Sequence, residues 1–209
     1  MDRKKSKTRE YIESILVAAL IALVVRSFII QAYKIPSGSM EPTLLVGDHL
    51  LVNRMSYVVK MPFTDSVLLT TGKPDRGDII VFRYPEDPSK DYIKRVIATE
   101  GEKVEIRKKA IYIDGKKISD PWGRFKPDFG SRGFVPFVDK DNMNPVIVPK
   151  DSYFVMGDNR DNSLDSRYWG YVNKKHLVGK ALIIYFSWDS NAMDALHYIR
   201  WSRIAWLIK

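Results

Sequence analysis

Two short stretches of the chain concentrate side chains able to do chemistry, and one lysine completes the set. Residues Ile35 to Leu44 read IPSGSMEPTL. Pro36 and Pro42 restrict the backbone on either side of Ser37 and Ser39, and Gly38 permits close approach of another segment. A rigid loop with two hydroxyls and exposed amides suits a nucleophile and the stabilisation of an oxyanion. Its plainer uses are a turn after a membrane segment, or a signal-cleavage site with Ser37 and Ser39 as the small residues before Met40. The second stretch, Gly157 to Arg167 (GDNRDNSLDSR), consists almost wholly of Asp, Asn, Arg and Ser. It lacks the glycine and glutamate that a calcium loop needs at fixed places. Interleaved acids and arginines suit a self-satisfied polar network that stiffens a loop; a solvated surface loop is the plainer alternative.

The lysine is Lys94, in the run Tyr92-Ile93-Lys94-Arg95-Val96-Ile97. Strand alternation puts Tyr92, Lys94 and Val96 on one face, and Ile93, Arg95 and Ile97 on the other. An ammonium between an aromatic and a β-branched neighbour can lose its water, which lowers its pKa. Moving a lysine from ~10.4 to near 8 costs the charged form about 3 kcal/mol. The neutral amine then serves as a general base for serine. Taken alone, a strand lysine is far more often solvent-facing. His49, His176 and His197 lack metal-site spacing, although a triad assembled from distant positions stays open. The chain has no cysteine, which excludes thiolate catalysis, disulfides and cysteine-bound zinc.

These groups need a frame. A chain of 209 residues, 45% apolar and 28% charged, is long enough for a real core and too polar for a polytopic membrane protein. From His49 onward the periodic stretches are short and alternating: His49–Met55, Asp78–Tyr84, Tyr92–Thr99, Val146–Val148, Tyr153–Met156 and Leu177–Trp188. Two arms within Lys103–Ile118 are expected to close at Asp114-Gly115. Strands without intervening helical patterns predict a mainly β, antiparallel sandwich or barrel-like domain. Ser119 to Pro145 breaks the pattern and reads as an inserted subdomain of about 119–145. Its Trp122, Phe125, Phe129, Phe134 and Phe137, interleaved with Arg124, Lys126 and Arg132, suit internal packing or contact with lipid headgroups. Trp201 and Trp206, beside Arg200 and Arg203, leave the same two uses open for the C-terminal tail.

The N-terminus decides where this domain works. Residues 1–11 carry five Lys or Arg against two acids, and the uninterrupted apolar run Ile15–Val25 follows. Counted over residues 12–31, the segment is long enough for a transmembrane anchor, with Arg26 snorkelling. Only Lys34 is basic in the next twenty residues, so the charge bias predicts a cytoplasmic N-terminus and an extracytoplasmic domain at 32–209. A cleavable signal peptide has the same outline. Either way the formal net charge of +9 owes part of its excess to a membrane-facing tail, and nucleic-acid binding is not expected.

Pro36 through Leu44, Gly77-Asp78 with Val81-Phe82, Asp91 through Arg95, and Gly157 through Arg167 occur in this order, with a fainter echo at Ser202-Arg203-Ile204. Together they closely resemble the motifs of bacterial type I signal (leader) peptidases. The resemblance implies a membrane-anchored serine endopeptidase of the bacterial cytoplasmic membrane with a Ser–Lys dyad on a largely β fold; many relatives have two spans, whereas this sequence reads as single-pass. By that likeness Ser39 is the nucleophile and Lys94 the general base. Ser37 joins the Ser39 amide in the oxyanion hole, and Ser163 orients the lysine amine. Asp158, Asp165 and Arg167 support the site, with Arg95 as partner of Asp158. Secretory preproteins with small residues at −1 and −3 are the implied substrates, and no metal or cofactor is implied. A retained anchor follows too, since cleavage before Met40 would discard Ser39. Ser39 follows Ile30 by nine positions, which places the nucleophile within ~30 Å of the membrane boundary.

Overall fold

The protein's architecture is given by a computed structural model that describes residues 7–61, 66–125, 139, 141–190, 192 and 198–208. A helix, α1 (Lys7–Val24), passes through one wide turn at Val25–Ile29 into the first strand. The strands are β1 (Ile30–Lys34), β2 (Asp48–Asn53), β3 (Val58–Lys60), β4 (Val67–Thr70), β5 (Ile79–Tyr84), β6 (Asp87–Ala98) and β7 (Lys103–Arg107). They continue as β8 (Ala110–Ile113), β9 (Lys116–Lys117), β10 (Met143–Ile147), β11 (Ser152–Met156), β12 (Val172–Asn173), β13 (Leu177–Ser187) and β14 (Trp206–Leu207). A short helix, α2 (Ser166–Trp169), precedes β12. The main sheet has the order β1-β2-β13-β5-β6-β11-β12, with β14 also on β13. A smaller sheet, β10-β7-β8-β9, and a β3-β4 ribbon complete the fold. All the strand pairs of the main sheet are antiparallel.

The central strands are buried on both faces, so they are continuous apolar runs in the sequence. Along β5, Ile79 and Val81 enter one core with Leu50, Val52 and Ile184, while Ile80 and Phe82 enter a second with Val96 and Val155. Along β11, Tyr153 and Val155 join that second core, while Phe154 and Met156 face a third under the small sheet. In β6 only the second half is buried, with Lys94 and Arg95 at its start. Two polar side chains thus enter a strand otherwise committed to the interior.

Three expectations shift. The arms of the small sheet meet at Lys108-Lys109, where both residues take positive φ; Asp114-Gly115 makes the next turn, into β9. Asparagine-free lysines do not advertise such a turn, so the glycine downstream was the stronger signal. Ile30 and Gln31, assigned to the anchor, are paired in β1 with Asn53 and Val52, so their backbone groups belong to the sheet. Among the described residues no helix is long and apolar enough to cross a membrane, since α1 begins with Lys7, Arg9, Glu10 and Glu13. Most of the expected subdomain at 119–145, including Lys126, Phe129, Arg132, Phe134 and Phe137, lies outside the described residues, as does His197.

The turn from β1 to β2 is closed by glycine for a steric reason. Gly47 has φ +91°, and a Cβ there would lie 1.9 Å from the Trp188 carbonyl oxygen. Its N–H donates to the Ile35 carbonyl and its own carbonyl accepts from Trp188 N–H. Gly47→Ala is therefore expected to cost about 2–4 kcal/mol of unfolding free energy in a denaturant titration, combining backbone strain with overpacking.

Candidate active site

The serine loop is held by what flanks it. Ile35 on one side and Met40 and Leu44 on the other are fully buried in the core beneath β1 and β2. Pinned at both ends, the backbone lifts Ser37 into solvent and leaves Ser39 half-buried in a single 3-10 turn, Gly38–Met40. Leu44 N–H donates to the Met40 carbonyl. From behind, Arg203 donates Nη2 to the Thr43 carbonyl at 2.8 Å and forks onto Asp48, whose carboxylate also accepts from Leu45 N–H and Ser187 Oγ.

Lys94 reaches this turn from β6. Its Nζ hydrogen-bonds Ser39 Oγ at 2.8 Å and donates to the Ile93 carbonyl at 3.0 Å. The side chain is only 4% exposed, and the amine stands 5.5 Å from the centre of the Tyr92 ring. Arg95, next along the strand, points to the opposite face. It donates Nε and Nη2 to the two oxygens of Asp158 at 2.8 and 2.7 Å, and both partners are wholly buried.

The polar stretch after β11 closes the site from a third side. Gly157 packs directly on the serine turn: a Cβ there would lie 2.4 Å from the Ser39 carbonyl and 2.3 Å from Ser163 Oγ. Asn159 clamps the turn, donating its backbone N–H to the Ser39 carbonyl at 3.1 Å and its side-chain amide to the Gly38 carbonyl at 3.0 Å. Asp158 accepts from Thr43 Oγ1 at 2.6 Å. Asp165 caps α2 and takes Nε and Nη2 of Arg167 at 2.9 and 3.0 Å, together with the Gly157 N–H.

The expected residues therefore divide. Ser39 with Lys94, Arg95 with Asp158, and Asp165 with Arg167 are in direct contact. Ser163 Oγ is buried beside Asp165, and no hydrogen bond joins it to Lys94. Ser37 lies beside Gly38 and makes no capping hydrogen bond to the turn. Asn159 and Thr43 were not singled out in the sequence. Both lie inside the motifs, but an amide's partner 121 positions away leaves no local mark. Among the described residues neither His49 nor His176 is hydrogen-bonded to Ser39 or Lys94, and no acid or histidine cluster could hold a metal ion.

Comparison with known proteins bears directly on this arrangement. Residues 8–188 match the family described as signal peptidase, peptidase S26. The chain belongs to that family. It is 36% identical to the signal peptidase I of Buchnera aphidicola, over 96% of this chain and 83% of the relative. It is 37% identical to that of Pseudomonas aeruginosa, over 90% and 75%. With the signal peptidase I of Pseudomonas fluorescens the identity is 38%, over 96% and 79%.

The surroundings of Lys94 set its protonation. Burial lowers the Lys94 pKa from 10.5 to about 8; the Asp165 and Asp158 carboxylates oppose the shift, and Arg167 assists it. Burial also works against ionisation of Asp165, but the Arg167 guanidinium and the Gly157 N–H outweigh it and hold the acid below its ordinary range. Each carboxylate near the amine is thus spoken for by an arginine, and desolvation prevails.

That lowered pKa ties folding to pH. Between about 8 and 10.5 the unfolded chain binds a proton that folded Lys94 has released, so stability rises with pH across this window. Below it the fold carries a buried cation at a cost of about 3 kcal/mol. Lys94→Met is expected to unfold at higher denaturant than the parent at pH 7. Its advantage should shrink as pH climbs through the window, as paired titrations would read.

Proposed function

We propose that the chain is a membrane-anchored serine endopeptidase that removes signal peptides from exported preproteins, with Ser39 as nucleophile and Lys94 as general base. The 2.8 Å contact between Lys94 Nζ and Ser39 Oγ carries this reading. A hydroxyl at that distance can pass its proton to a neutral amine as Oγ attacks the scissile carbonyl. The resulting lysinium returns the proton to the departing amine, which leaves an ester on Ser39. Water, activated by the same amine, then hydrolyses the ester and regenerates the hydroxyl. The developing oxyanion falls to the Ser39 amide and the Ser37 hydroxyl, which protrudes at the head of the turn. Ser163, a buried hydroxyl beside Asp165, is suited to receive an N–H from the amine once Ser39 is acylated.

Anchoring is supported by α1. Ile15, Leu16, Val17, Leu20, Ile21 and Leu23 are all more than half exposed, around the whole circumference of the helix. A helix apolar on every side belongs in a core or in lipid, and no described part of the chain covers this one. The basic residues at the N-terminus favour a cytoplasmic N-terminus and a site outside, and the substrates on this reading are preproteins with small residues at −1 and −3.

With a purified preprotein, Ser39→Ala and Lys94→Ala should each lower processing by at least about a thousandfold while leaving the circular dichroism spectrum unchanged. Normal cutting by Lys94→Ala would sink the dyad. In the parent, kcat/KM should rise as pH increases through about 8, because activity requires the amine to lose its proton. A profile that is already flat by pH 6 would assign the base to another group.

A further inference from the structure

Residues 120–125, the described beginning of the long insertion, run along the back of the Asp158–Arg160 turn. Arg124 N–H donates to the Asp158 carbonyl at 2.7 Å, and Arg160 N–H donates to the Arg124 carbonyl at 2.9 Å. The two segments form a parallel bridge at Arg124 and Asn159. One end is fixed by a buried fork, in which Arg160 donates Nη2 to Asp120 Oδ1 at 2.8 Å and Nη1 to Oδ2, while its Nε holds the Gly157 carbonyl at 3.0 Å. The fit excludes any side chain at Gly123, where a Cβ would lie 2.5 Å from Asp120 Oδ2 and 2.8 Å from Arg160 Nη1.

Between these fixings stands Trp122. Its ring covers the guanidinium of Arg95, 4.6 Å from ring centre to Cζ. The far edge of the indole rests on Gly77, where a Cβ would come within 3.1 Å of it. The Gly77 carbonyl in turn accepts from Arg95 Nη1 at 2.6 Å. Arg95 is thus enclosed by Asp158, by the Gly77 carbonyl and by an aromatic face. That geometry suits a desolvated guanidinium, which is weakly hydrated and stacks well.

We propose that Asp120–Phe125 is a strap that orders the catalytic site from behind, and that Trp122 is its positioning residue, keeping Arg95 dry and locked onto Asp158. This rests on the Ser39–Lys94 reading. Trp122 acts through Arg95: Asp158 stays neutralised, and the Asn159 clamp that follows it stays in register with the serine turn. Among the described residues the groups facing the Lys94 amine are few. They are the Asp165 and Asp158 carboxylates, the Arg167 guanidinium, the Tyr92 ring, the Ser39 hydroxyl and the Ile93 carbonyl. Opposite Lys94 on β5 stands uncharged Ile80. Without the indole, water reaches Arg95 and weakens its hold on Asp158, whose charge then acts on the amine more fully. Water closer to the amine also relieves its desolvation. Both effects favour the protonated lysine, so the pH at which activity appears must rise.

The test is the pH profile of kcat/KM for the full chain in detergent micelles, with a fluorogenic signal-peptide substrate. For Trp122→Leu the midpoint should move up by about one unit, which lowers activity at pH 7 about tenfold while most of the alkaline plateau survives. Trp122→Phe, which restores a ring, should return the midpoint close to the parent's. An unmoved midpoint in Trp122→Leu, with a lower plateau and lower Tm, would mean that the indole merely packs, and the proposal falls. Should Trp122→Leu fail to fold, Asp120→Asn releases the end of the strap and its midpoint is read against the same criterion. Lys94→Ala in the same series keeps the two ideas apart. Cutting by that variant would overturn the dyad, whereas a dead Lys94→Ala beside an unmoved Trp122→Leu midpoint overturns the strap alone.

Discussion

An amine can act as a base for serine near neutral pH only where it is easily kept neutral, and on the proposed reading keeping Lys94 neutral is the constraint that organises this molecule. Two carboxylates, Asp158 and Asp165, stand close enough to favour its protonation. Left uncompensated in a dry site, either would hold the proton on the lysine. Each is instead engaged by a two-pronged arginine, Arg95 on Asp158 and Arg167 on Asp165. With each acid offset by its own cation, burial is left as the dominant influence on the amine. The ion pairs are poor evidence of added stability, since their desolvation costs much of what their attraction returns. Their value lies in fixing both the electrostatic balance and the turn that carries Asn159.

The fold supplies the dryness and brings the parts together. Strands β5, β6 and β11 lie within the main sheet with core on both faces, and Lys94 and Arg95 enter that interior at adjacent places on β6. Period-two alternation sends one to the serine and the other to the acid beneath it, so on the proposed reading one strand serves both catalysis and its electrostatic support. The serine turn is not stiff by itself. It is held by Met40 and Leu44 in the core, by Asn159 from one side, and by Arg203 and Asp48 from the other. Residues spread from 39 to 203 thus act together to place one hydroxyl.

The apolar runs of β5, β11 and β13 were legible because burial on one or both faces writes itself into composition, and the two polar motifs were legible because such residues have few other reasons to cluster. The Lys108-Lys109 turn was not, because two lysines at positive φ are tolerated by the hairpin rather than requested by the residues. Strand β1 was hidden for another reason. IQAYK continues an apolar segment without a break, and only pairing with β2 separates strand from helix. Asn159, Thr43 and the stacking of Trp122 on Arg95 were invisible because each depends on a partner far along the chain. A sequence carries local preference and burial; it does not record which distant carbonyl an amide will meet.

On the proposed reading, the strand that escaped notice changes how the link between anchor and nucleophile works. A flexible nine-residue tether would offer Ser39 a broad range of heights above the bilayer, and the gain in effective concentration would be spread across that range. Here five of those residues are zipped to β2 in continuous register from Ile30 to Lys34, and Ile35 continues the contact through its N–H to the Asp48 carbonyl. Five residues of strand span about 17 Å, so height and orientation are set together by the sheet. On the reading that α1 lies in lipid, the catalytic turn stands at one depth, facing one way. A substrate whose apolar segment is still embedded then meets the serine by geometry rather than by search. Specificity for cleavage just outside the membrane thus need not come from contacts to side chains alone.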